Sequence, residues 1–93
     1  MKDIAEIANA IRVMGKCDCS YVSSVPVKEI FQGKTIWEGV VEIFDLIDHI
    51  RADRCYAWVF KDNKGKDKYV IVLHHPPVDS PEKAVKTAIA GQK

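Results

Sequence analysis

Ninety-three residues predict a single domain spanning 1–93, with too little chain for a second core. A hydrophobic content of 47% argues against a disordered chain. Fourteen Lys and Arg against 13 Asp and Glu leave a net charge of +1, so bulk charge supplies no long-range field to gather nucleic acid or anionic lipid.

Along Asp3 to Met14, the apolar residues Ile4, Ile7, Ala8, Ile11 and Met14 recur at helical spacing and predict an amphipathic helix. Asp3 serves as its cap, with Glu6 at the positive end of the dipole and Gly15 as a left-handed terminator. Cys17 to Val25 is small and polar, and reads as a loop or an irregular edge strand. In Pro26 to Gln32, a proline start and a closing Gly33 favour a short helix, with an edge strand as the alternative.

Thr35 to Leu46 is rich in β-branched and aromatic residues and predicts a strand, with Gly39 marking a bulge. Ile47 to Asp53 is a polar connection. Arg54 to Phe60 and Tyr69 to His75 form a hairpin around Asp62-Asn63-Lys64-Gly65, where Gly65 takes positive φ. Pro76-Pro77 stops the second arm. Ser80 then caps a helix with Pro81 at its first position, an apolar stripe of Ala84, Val85, Ala88 and Ile89, and Gly91 as its end. Consecutive strands with short connections predict an α+β two-layer sandwich. It has a three-stranded antiparallel meander with both helices on one face, in the order α-(α)-β-β-β-α.

Alternation in the hairpin places Tyr56, Trp58 and Phe60 on one face and Cys55, Ala57 and Val59 on the other. A turn near Lys64 sets Val70 and Val72 opposite the aromatic row, and Tyr69, Ile71 and Leu73 opposite the small residues. Both faces are thus apolar, while the predicted helical layer covers one. Either Lys16 to Gly33 folds across the other, or a partner does, and the commonest partner of a small domain is its own copy. Trp37, Tyr56, Trp58, Phe60, Val70 and Val72 are the candidate interface of a homodimer or of a complex with another protein.

Chemistry-bearing groups are sparse. Cys17-x-Cys19 with His74-His75 contains zinc-ligand types, but lacks paired C-x-x-C knuckles. The two histidines read as strand-end residues before a proline stop, and Cys55 as a buried hydrophobe. A Cys55–histidine nucleophile pair has no evident third orienting group. Glu38 and Glu42 stand roughly 13 Å apart along a strand, too far to share a proton. Phosphate loops, G-x-S-x-G and H-E-x-x-H are all missing from the chain, so a non-catalytic protein without cofactors is expected. Lys64, Lys66 and Lys68 at the turn are candidate phosphate contacts. Together with the aromatic row they make a nucleic-acid-binding module the alternative reading. No stretch approaches the roughly 18 apolar residues of a membrane span. An odd cysteine count without a signal peptide suits a reducing cytoplasm.

The run Trp37, Gly39, Val41, Glu42, Phe44, Leu46, followed by Tyr56-Ala57-Trp58 and Pro76-Pro77-Val78-x-Ser80-Pro81, resembles small uncharacterised bacterial proteins over Lys34 to Ile89. That resemblance implies no activity. The order helix, three strands, helix is similar to the double-stranded RNA-binding domain, whose last helix begins with phosphate-contacting lysines. Here only Lys83 and Lys86 stand in that region, behind Pro81 and Glu82.

Overall fold

The computed structural model describes residues 4–90. Its elements are α1 (Ile4–Gly15), β1 (Asp18–Phe31), β2 (Lys34–Ile47), β3 (Arg54–Lys61), β4 (Asp67–Leu73) and α2 (Pro81–Ala90). The strands form one antiparallel meander in sequence order. The α+β class is as predicted, but the sheet has four strands where three are expected. Cys17 to Val25, read as a loop or an irregular edge strand, and Pro26 to Gln32, read as a short helix with an edge strand as the alternative, belong almost wholly to the 14-residue strand β1. The element order therefore departs from that of the double-stranded RNA-binding domain.

Two irregularities in β1–β2 pairing account for the misreading. The register passes from Tyr21↔Phe44 to Ser23↔Ile43 and from Glu29↔Trp37 to Ile30↔Thr35, leaving Val22 and Ile36 as extra residues. Each shift reverses the alternation on its own strand, so no single period-2 pattern runs through β1. Pro26 is tolerated because β1 is an edge strand. Gln32 (φ 52°) and Gly33 (φ 77°) close the β1–β2 hairpin as a two-residue turn with both centres left-handed. At Gly39, where a bulge is predicted, pairing with Val27 is regular. The Trp37 ring lies over this glycine, 3.0 Å from where a Cβ would sit.

Helix α1 buries Ile7, Ala8 and Ile11, whereas Met14 at the end of the predicted stripe is exposed. The left-handed residue after α1 is Lys16 (φ 52°), one position beyond the predicted Gly15. At the start of α2, Ser80 Oγ accepts the Lys83 N–H at 3.2 Å, the expected cap. The Asp3 cap and the Gly91 stop lie outside the described residues. The hairpin register matches the prediction, with Tyr56↔Val72, Trp58↔Val70, Cys55↔Leu73 and Ala57↔Ile71.

The layering differs from the prediction, because the helices lie on opposite faces of the sheet. Ile7, Ala8 and Ile11 of α1 pack with Cys19, Phe44, Leu46, Cys55 and Ala57. Ala84 and Val85 of α2 pack with Val27, Val41, Ile43, Tyr56 and Trp58. Adjacent strand residues point to opposite sides, so Phe44 against Ile43 and Cys55 against Tyr56 mark two separate half-cores. Both apolar faces of the hairpin thus receive a helix from the chain itself.

Candidate interaction surface

The predicted interface is dispersed by this arrangement. Tyr56 and Trp58 are only 2% and 4% exposed, beneath α2. Val70 and Val72 are half-buried against the same cluster, and half-buried Trp37 meets Trp58 edge-on with ring centroids 5.6 Å apart. Phe60 remains exposed at the end of the row. The aromatic face is therefore core, and the expectation that it awaits a partner is corrected.

The turn lysines surround a carboxylate. Asp62 Oδ1 accepts the backbone N–H of Lys64 and of Lys66, each at 2.9 Å, and Lys68 Nζ lies 3.9 Å from Asp62 Oδ2. These bonds, the one from Lys66 foremost, hold the Asp62 carboxyl below its ordinary range despite some desolvation. The turn is therefore organised by its acid, which dilutes its attraction for phosphate.

The candidate metal ligands do not assemble. Cys19 is buried in the α1 half-core, its thiol directed at the Ala8 carbonyl oxygen at 3.6 Å. His74 shares the opposite face with Tyr56, its Nδ1 lying 2.6 Å from the phenol oxygen, and His75 is exposed. Among the described residues no group of three His, Cys, Asp or Glu side chains is placed to hold a metal ion. The same separation undoes a Cys55–His74 pair, since Cys55 faces α1. Burial, with a smaller contribution from neighbouring Cys19, pushes the Cys55 thiol up to about 12, far from a nucleophilic thiolate.

Among the concavities lined by the described residues, two lie along β2 and β3. One, about 470 Å³, lies at the β2–β3 loop end, where Asp45 and Arg54 pair at 3.0 Å beside Asp53 and His74. The other, about 460 Å³, opens where β2 and β3 part. Their ladder covers only Glu42–Asp45 against Ala57–Arg54. Beyond it Ile4, Val40 and Val59 form an apolar wall, with Ser24 and Glu42 at the rim. Ser24 Oγ donates to Glu42 Oε1 and shares a 2.6 Å hydrogen bond with the Tyr21 hydroxyl.

Past this point β1 and β2 continue together as a two-stranded arm. Helix α2 covers one side of the arm through Val27, and Lys86 Nζ stands 3.7 Å from the mostly buried Glu29. On the other side, the described residues of α1 and Val40 line the 460 Å³ concavity between them, and the α1 half-core does not take in Val40, Ile36 or Ile30. Alternation from the regular register places Pro26, Lys28 and Ile30 of β1 there, beside Val40, Glu38 and Ile36 of β2. Ile30, Ile36 and Val40 are 60%, 49% and 48% exposed. Phe31, also exposed, adds to the arm's tip. Sequence reasoning missed this surface because an edge strand was only one alternative for Cys17 to Gln32 and no pairing with β2 was assigned, so Ile30 had no partner and Pro26–Val40 no common face.

No protein-family model, curated protein or solved structure matches the chain. Among the described residues no helix is long and apolar enough to cross a membrane.

Proposed function

We propose that this is a small, non-catalytic cytoplasmic protein that works by self-association through the open side of the β1–β2 arm. The observation that carries the reading is the exposure of Ile30, Ile36 and Val40 on two paired strands, outside both half-cores formed by the described residues. Large apolar side chains grouped and exposed on one part of a sheet are costly to leave in water and are usually covered by another chain. Three free cysteines, two of them buried, suit a reducing compartment. The raised pKa of Cys55 argues against a thiolate mechanism.

Nucleic-acid binding has less support, because Tyr56 and Trp58 lie in the core and the Lys68 ammonium lies 3.9 Å from Asp62 Oδ2. A titration with oligonucleotides at low salt is expected to show no binding. Sedimentation of the intact chain over a range of micromolar concentrations tests the main reading. A dimer is expected, and Ile36→Asp or Val40→Asp should give a folded monomer. A wild-type chain that stays monomeric throughout overturns self-association.

A further inference from the structure

The arm's open side carries a charge pattern that selects its occupant. Three rows cross the two strands on this side. Pro26 stands opposite Val40, Lys28 opposite Glu38, and Ile30 beside Ile36 at the bulge. A cation and an anion thus occupy the middle row, between two apolar rows, and all the flanking isoleucines and Val40 are exposed.

Antiparallel pairing gives this pattern a symmetry. A two-fold axis parallel to the strands and midway between β1 and β2 carries each residue of one strand onto its opposite number. A second copy brought face to face by that axis therefore sets its Glu38 against Lys28 and its Lys28 against Glu38. The same rotation sets Val40 on Pro26 and brings the Thr35–Ile36 bulge over Ile30. Two-fold contacts must be self-complementary in this way, and aligned face-to-face packing of sheets is a standard geometry. An axis in the same plane but perpendicular to the strands would instead set Lys28 on Lys28 and Glu38 on Glu38, which like-charge repulsion opposes.

We infer that the occupant is a second copy of this chain, docked arm to arm about an axis along the strands, with two reciprocal Lys28–Glu38 pairs at its centre. This inference rests on the self-association reading and specifies its geometry. The charged centre of the dimer makes it sensitive to salt.

Charge reversal tests the pairing without touching the core, since Lys28 and Glu38 are both exposed. In K28E the central row of the dimer becomes wholly acidic, and in E38K wholly basic. Each variant alone is expected to sediment as a monomer with an unchanged circular dichroism spectrum. Mixed in equal amounts they should recover a heterodimer, because the acidic arm then meets the basic one. That recovery separates a contact between chains from the Lys28–Glu38 pair within a chain, which both single variants lack. If the wild type dimerises and the single variants do so equally well, self-association stands and this geometry falls. Folded monomeric variants that do not recover on mixing also overturn it. A monomeric wild type removes the self-association reading itself.

Discussion

The acid of the β3–β4 turn illustrates how a single side chain shapes a loop. Asp62 uses one carboxylate oxygen to accept two backbone N–H groups, and its own N–H donates to the Lys66 carbonyl oxygen at 2.9 Å. Its folded pKa is depressed, so its contribution to stability is present above the unfolded value of about 3.9. That contribution is lost as pH falls through the folded value. Asp62→Ala should therefore lower the melting temperature at pH 7, with the gap to wild type closing in melts at progressively lower acidic pH. An equal gap throughout would show that the carboxylate does not hold the turn. The three thiols offer a second residue-scale test. Cys19 and Cys55 are buried while Cys17 is half-buried, so a thiol reagent should label Cys17 first and Cys55 only on unfolding. Fast native labelling of Cys55 would contradict its burial. The buried character of Cys55 was legible from its place among the small residues of its strand. The partner of His74 was not, because Tyr56 lies 18 positions away and only the hairpin register brings it to 2.6 Å.

At the scale of elements, α1 and α2 work independently across a common wall. Ile11→Ala in α1 should cost about 2–5 kcal/mol, and Val85→Ala in α2 about 1.5–3 kcal/mol. The sheet separates the two sites, so the double variant should equal the sum within about 0.5 kcal/mol in denaturant unfolding. A large departure would indicate that the helices share one half-core. Both helices were readable from period and capping, since those signals lie within a turn or two of the residues concerned. Strands β2, β3 and β4 were readable for a similar reason, because β-branched and aromatic alternation is local. Strand β1 was not. The extra residue Val22 breaks its alternation, and Pro26 followed by Gly33 imitates the punctuation of a short helix.

For the whole molecule, the arm decides how the chain meets others. The β2–β3 ladder is short, so the distal halves of β1 and β2 extend beyond the centre of the sheet with α2 on one side and solvent on the other. If copies associate there, the melting temperature of the wild type should rise with protein concentration, by mass action on the folded dimer. In Ile36→Asp it should not. Parallel melts at dilute and concentrated protein check this, and identical wild-type curves would count against association.

The chain's own letters determined where α2 begins, which strand residues are apolar, and how Tyr56 and Trp58 align with Val72 and Val70, because each depends on neighbours in sequence or across one tight turn. Tertiary structure alone decided which helix lies on which face. Alternation marks two apolar faces without assigning either to α1 or α2, and that choice rests on long-range packing of Ile11 against Phe44 and of Val85 against Trp58. It likewise decided that β1 is a strand, since the ladder with β2 takes in Asp18 to Phe31 and creates the face that holds Lys28 and Glu38.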